Sequence, residues 1–294
     1  MTTRTSAVHP GARQRSMAPI VSRYVEKALI YCVLLAGAAV LMIPLWWMLS
    51  TSVKHPKEVF AFPPTLLPEQ FMWNNYTDLF IKAPFHIYIF NTTYLVIMDL
   101  IGTLFTASMV GYAFARLRWR GRDVFFLITL ATMMLPNTVL LIPRFIIFNE
   151  IGWTNSFKPL WVPAFFGYAF FIFLMRQFYA TIPHELDSAA RIDGASEFGV
   201  WWRILAPLTK PALAACGIFT FNATWNDVLG PLIYLTSESK STLALGLMQF
   251  RGPHRTDWHY LMAASVVAML PVLIIFFFAQ KYFIQGVTIT GIKG

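Results

Sequence analysis

The sequence predicts an all-α integral membrane protein with six transmembrane helices and both termini on the cytoplasmic side. Three observations carry that prediction. Of 294 residues, 57% are hydrophobic and only 13% charged, a mixture that no water-soluble domain of this length arranges around one core. Six segments are long and apolar enough to cross about 30 Å of hydrocarbon, which takes roughly 20 residues at 1.5 Å rise. Lysines and arginines gather in alternate connections between those segments.

The elements follow in order. Residues 1–24, rich in Ser, Thr and Arg, read as a disordered basic tail, and 25–294 as one transmembrane domain. Nothing between Lys27 and Lys54 is charged, so the first span is 28–50, with Trp46 and Trp47 placed for the outer interface. It is too long for a signal-peptide h-region and no Ala-x-Ala site follows, which predicts an uncleaved span. The second span is 86–115, where Ala107, Gly111 and Ala115 make a small-residue stripe suited to close helix packing. The remaining spans are 124–148, 159–175, 211–235 and 260–280, with Pro136, Pro163, Pro231 and Pro271 inside them. Cys32 and Cys216 fall within apolar runs and read as small hydrophobes.

Of the 23 basic residues, 15 lie in the N-terminal tail, the second-to-third connection, the fourth-to-fifth connection and the C-terminus, which should therefore be cytoplasmic. Membrane orientation accounts for the net charge of +9 without nucleic acid as a partner. There is no phosphate-binding Gly-x-x-x-x-Gly-Lys-Ser/Thr loop, no His-Glu-x-x-His and no Gly-x-Ser-x-Gly, and the six histidines lack metal-ligand spacing. Neither a catalytic residue nor a metal site is assigned, and nothing points to an enzyme.

The segment 181–207, between the fourth and fifth spans, reads as two short helices. Pro183 suits a first helical turn, and Glu185 and Asp187 offset the positive end of the helix dipole. Leu186, Ala189 and Ala190 share one face, Asp193-Gly194 signals a turn, Ser196 suits an N-cap and Pro207 a stop before the fifth span. Two placements satisfy that small apolar face: a partner's groove, or the protein's own bundle.

The run Asp187-Ser-Ala-Ala-Arg-Ile-Asp-Gly-Ala, followed by Ile204 and Pro207, resembles the EAA loop of ABC importer permeases. Ser188 stands where that motif has glutamate, while Ala189, Ala190, Gly194, Ile204 and Pro207 match it. Trp225-Asn226-Asp227, Pro231-Leu232, Leu243-Ala-Leu-Gly-Leu and the C-terminal run from Gly286 resemble the maltose-type, oligosaccharide-importing branch. The resemblance implies a type I importer permease fold and a transport subunit that contains no cofactor. Its expected partners are a homologous second permease, two cytoplasmic ATPases that hold ATP and Mg, an extracytoplasmic solute-binding protein and membrane lipid.

It also implies roles for particular residues. Glu185, Asp187, Ser188, Ala189, Ala190, Asp193, Gly194 and Pro207 would form the ATPase-coupling loop, with the acidic contact falling to Asp187 or Glu185. Gln249, Phe250, Arg251, Gly252 and Pro253 would face the binding protein, and Gly291, Ile292, Lys293 and Gly294 the ATPase dimer. Asn222, Trp225 and Asn226 are candidate pathway residues, since amides bond hydroxyls and an indole covers a sugar's apolar face; for Trp225, packing is the equal alternative. Asp99, Arg144 and Asp227 are charges within or near spans, each expected to face protein, water or an interface. A permease for another solute, such as a phosphorylated polyol or an amino-sugar conjugate, is the alternative that Arg144 in the cavity would favour, and a stand-alone channel is the more distant one.

Overall fold

The computed structural model describes residues 18–251 and 256–290, which are helical throughout apart from connecting turns and one isolated bridge between Arg251 and Thr256. The chain divides into two compact units, 1–49 and 50–294. The first contains most of α1 (Ala18–Ser52). This helix begins within the stretch expected to be tail, because Pro19 occupies its first turn, where a missing N–H costs no intrahelical bond. From 24 to 44 its apolar side chains are exposed, Leu34 and Leu41 among them.

The second unit is built around α3 (Phe85–Arg116), preceded by the short α2 (Asn74–Lys82). The predicted small-residue stripe lies where α3 meets α7 (Ala169–Thr181). Ala107 is fully buried, and a Cβ added at Gly111 would stand 2.7 Å from the Met175 Cβ, so the two backbones approach as only glycine permits. One cluster, including Tyr112, Met175, Tyr179, Val200, Trp201 and Cys216, fills the loop end of the unit. Another, including Phe85, Tyr88, Phe221, Trp225, Phe250 and Tyr260, fills the opposite end.

Three predicted spans are broken. The third is not one helix over 124–148 but α4 (Arg122–Thr132) and α5 (Leu141–Glu150), separated by turns around Pro136, which lacks a backbone donor and crowds the carbonyl of residue 132. The fourth runs as α6 (Lys158–Trp161), a 3-10 turn (Val162–Phe166) and α7, with the break at Gly167, whose φ of +88° is left-handed. In the loop that follows, α8 (Glu185–Ile192) is succeeded by α9 (Glu197–Gly199), a π-helical turn (Val200–Leu205) and α10 (Ala206–Leu208). Pro207 therefore does not stop the second loop helix: it sits in the first turn of α10, and the chain turns by 79° at Thr209 into the fifth span. That span comprises α11 (Lys210–Trp225) and α12 (Leu229–Tyr234). After the short α13 (Leu243–Leu247), α14 (Trp258–Thr290) continues ten residues past the predicted end of the sixth span.

Among the described residues, four helical segments qualify as spans by length and hydropathy, or five if the pair bent at Thr209 counts as one. The broken α4–α5 pair is what keeps the third predicted span out of that count.

Candidate functional site

The loop helix α8 is closed by its own sequence. Gly194, at φ +82°, lets its N–H reach the Arg191 carbonyl and the Ala195 N–H reach the Ala190 carbonyl, so the last turn's acceptors are satisfied. Ser196 caps α9 by accepting from the Gly199 N–H at 3.2 Å, as expected. Pro183 lies just before the His184 cap, rather than within the first turn.

The two faces of α8 differ sharply. Asp187 and Ala190 are buried, whereas Glu185, Leu186, Ser188, Ala189, Arg191 and Ile192 are exposed, Ile192 by 86%. The shared face predicted for Leu186, Ala189 and Ala190 is thus divided: Ala190 packs into the loop-end cluster and the other two look outward. Exposed Phe198 and Trp202 extend the apolar surface of this loop.

Asp187 is buried because Arg116, the last residue of α3, reaches it. The Arg116 Nη1 stands 3.4 Å from the Asp187 Oδ2, and both side chains are almost completely shielded from solvent. Nη1 also lies 2.8 Å from the His184 Nδ1, which must accept because arginine only donates. Nη2 donates to the carbonyls of Tyr179, at 2.6 Å, and Ile182, at 2.5 Å. A buried charge is tolerable only when paired and bonded in this way. A second tie is more exposed: the Tyr112 hydroxyl donates to the Glu197 Oε2 at 2.6 Å, and Arg191 donates to both Glu197 oxygens. Those bonds, Arg191 first, hold the Glu197 carboxyl below the ordinary glutamate range.

Deeper in the unit, a cavity of about 470 Å³ is lined by Asp99, Asn137, Arg144, Tyr168, Thr224 and Asp227, among others. The Asp99 Oδ2 accepts from the Thr224 hydroxyl at 2.5 Å, and the Asp227 Oδ1 accepts from the Gly230 N–H in the first turn of α12 at 3.1 Å. The break between α4 and α5 brings Asn137 to this cavity, and Phe170 and Phe171 add aromatic faces. Hydroxyl, amide, carboxylate and ring surface together suit a polyhydroxylated solute.

The candidate pathway residues are placed elsewhere. Trp225 is buried, stacked on Phe221, and its indole N–H donates to the Ala268 carbonyl, so packing holds it away from the cavity. Asn222 and Asn226 bond each other on an exposed face of α11. In the segment before α14, Gln249 is exposed although its amide donates to the Tyr88 hydroxyl, Phe250 is buried against the aromatic cluster on α3, and Arg251 is exposed. Gly252, Pro253 and Gly291 to Gly294 lie outside the described residues. Among the described residues no cluster of His, Cys, Asp or Glu fits a metal ion.

Sequence reasoning missed Arg116, Tyr112 and Tyr168. The arginine was counted only toward orientation, and the tyrosines sit in apolar runs with no signal that their hydroxyls meet carboxylates.

A family model described as binding-protein-dependent transport system inner membrane component matches residues 104–289. The chain is 36% identical to the arabinooligosaccharides transport system permease protein of Bacillus subtilis over 256 residues, 86% of this chain and 91% of that protein. It is 30% identical to the sn-glycerol-3-phosphate transport system permease protein of Pectobacterium atrosepticum, over 87% of this chain and 94% of that one. A solved bacterial ABC transporter that imports the acidic polysaccharide alginate shares the fold, with a TM-score of 0.75 at 24% identity, covering 94% of this chain and all of that one.

Proposed function

Because the chain belongs to the binding-protein-dependent transport system inner membrane component family, whose members are permease subunits of ABC importers, we propose that it forms half of the pathway of an oligosaccharide importer. As an inner membrane component it is a multi-pass protein of the bacterial inner membrane. The proposal counts six spans: α1, α3, the broken pair α4–α5, α6 with α7, α11 with α12, and α14. Both termini are then cytoplasmic, with residues 25–294 as the transmembrane domain and the 181–207 loop facing the ATPases. A homologous second permease completes the pathway, a solute-binding protein delivers solute from outside, and two ATPase subunits hold and hydrolyse ATP with Mg. Gly291 to Gly294 would contact those ATPases, and Gln249 and Arg251 with Gly252 and Pro253 the binding protein, Phe250 being buried.

The observation that carries this reading is the exposed side of α8. Leu186, Ala189 and Ile192 stand in solvent on a helix whose opposite side is anchored, which is the form of an amphipathic helix awaiting a groove. Since Asp187 is turned inward, Glu185 is the carboxylate left to make the acidic contact outside. The test is co-purification from native membranes of the wild type and an Ala189→Glu/Ile192→Glu variant, whose changes fall on exposed positions and spare the bundle. An ATPase that accompanies the wild type and leaves the variant supports the proposal; a folded wild type with no ATPase refutes it.

For the solute, the cavity sets two carboxylates against one guanidinium, so anionic cargo meets net repulsion when both acids are ionised. That favours neutral oligosaccharide, the cargo named for the Bacillus relative. A phosphorylated polyol is the second candidate, favoured by Arg144 at the same cavity. Uptake by membrane vesicles of a labelled pentose oligosaccharide against glycerol 3-phosphate separates them.

A further inference from the structure

We infer that Arg116 is the positioning residue through which displacement of α8 reaches the membrane helices α3 and α7, an inference that rests on the coupling role proposed for the 181–207 loop. Three elements end at one guanidinium. Arg116 is the last residue of α3, its Nη2 holds the Tyr179 and Ile182 carbonyls at the end of α7, and its Nη1 faces Asp187 in the first turn of α8. A planar fork with several fixed donors can hold three partners in one geometry, which a lysine ammonium cannot.

The joint is stiff because it is dry. The Arg116 and Asp187 side chains are 0% and 1% exposed, so neither water nor salt screens the pair. The other charged tie between loop and α3, through Glu197, is about half exposed and holds α9 instead. The pair is also incomplete: at 3.4 Å it is an ion pair and not a close hydrogen bond, and neither Asp187 oxygen has a hydrogen-bond partner among the described residues, while Nη1 lies closer to the exposed His184. Shortening the gap closes a hydrogen bond, and lengthening it strands a buried carboxylate. The energy of the joint therefore depends steeply on where α8 sits, which is what a transmitting contact requires.

The test uses the complex purified with its own ATPase and carrying spin labels at Ser188→Cys on α8 and Ile101→Cys on α3, both exposed, after Cys32→Ser and Cys216→Ala remove the native thiols. The Ser188–Ile101 separation is measured by pulsed electron resonance without nucleotide and with ATP trapped by vanadate. In the parent the separation should stay the same in both states, since the two helices move as one. In Arg116→Gln/Asp187→Asn, which removes both charges and leaves no lone buried one, the separation should change between states by about 2 Å or more. ATPase should still co-purify with that variant, while stimulation of hydrolysis by the binding protein falls by roughly tenfold. Asp187→Glu, which keeps the charge, should retain most of the stimulation.

Identical separations and stimulation in parent and double variant would overturn the inference, as would a shift in the parent itself. Loss of ATPase from the double variant would assign the pair to docking and also overturn it. Absence of ATPase from the parent complex is a different failure: it removes the coupling reading and this inference with it.

Discussion

The Tyr112 hydroxyl and the Glu197 carboxylate meet at 2.6 Å, joining the middle of the loop to α3 across 85 residues of sequence. Tyr112 is buried, whereas the Glu197 side chain is about half exposed, so its pairing with Arg191 is largely screened and the tyrosine is the less replaceable partner. Tyr112→Phe should lower stability by about 1 kcal/mol, as expected for one hydrogen bond to a partly solvated charge, read as a reduced thermal midpoint in detergent. The sign of the pH dependence follows from the lowered Glu197 pKa. Stability from this group is fully present above its ordinary value of about 4.3 and is lost as pH falls through the lower folded value. The difference between wild type and Glu197→Gln should be constant near neutrality and close on acidification below about pH 4; a difference that grows there would contradict the assignment.

The helical, apolar character of this architecture was legible in the sequence, because apolar length is a property of composition. The stripe at Ala107, Gly111 and Ala115 foretold the contact between α3 and α7, and the Asp193-Gly194 turn and Ser196 cap are local chemistry that tertiary packing did not override. The breaks were less legible: Pro136 and Gly167 were visible, yet proline within a span permits either continuity, as at Pro271 in α14, or interruption. Side-chain direction was least legible. Helical spacing put Leu186, Ala189 and Ala190 on one stripe, but the pull of Arg116 on Asp187 sets the rotation of α8, so Ala190 goes inward and its neighbours outward. The polar cavity could not be read, since its lining comes from four separate spans.

Gly111 and Gly217 form a matched pair of helical glycines. At Gly111 an added Cβ would meet the Met175 Cβ at 2.7 Å and the Arg176 backbone nitrogen at 3.0 Å, atoms that cannot swing aside. At Gly217 the nearest atoms are leucine methyls at 3.8 Å, ordinary contact distance. Gly111→Ala should therefore destabilise by about 1–3 kcal/mol through overpacking. Gly217→Ala should be neutral or stabilising by up to about 1 kcal/mol from helix propensity. Thermal unfolding of the two variants side by side checks the contrast, and equal behaviour would mean that α3 and α7 do not approach this closely.

Asn91 fastens the segment before α14 to α3. Its amide donates to the Ser239 carbonyl at 3.0 Å and the Ser241 carbonyl at 2.9 Å, and neighbouring Thr92 accepts from the Leu243 N–H at 2.8 Å. Asn91→Leu leaves those two carbonyls without their donor, at a cost of roughly 1–3 kcal/mol concentrated in local opening rather than global unfolding. Limited proteolysis should cut within 236–251 several-fold faster in the variant, with the pattern elsewhere unchanged.

The cavity makes opposite predictions for its two kinds of charge. The Asp99 carboxylate accepts from Thr224, and in Asp99→Asn an amide donor can face that hydroxyl, disturbing the hydroxyl-binding array as well as removing charge. For a neutral oligosaccharide, a lost bond to a charged acceptor should cut uptake roughly tenfold or more, and Asp227→Asn should act in the same direction. Arg144→Gln should change uptake of the same solute only a few-fold, because a glutamine amide still donates to hydroxyls. For an anionic solute the order inverts: the two acid-to-amide changes relieve repulsion and raise uptake, while Arg144→Gln removes the guanidinium that lines the cavity and lowers it. Initial uptake rates of neutral and phosphorylated probes into vesicles carrying each variant give a crossed pattern under either solute. A flat pattern, with all three substitutions equivalent, would show that this cavity does not contact the cargo and that recognition lies in the second permease.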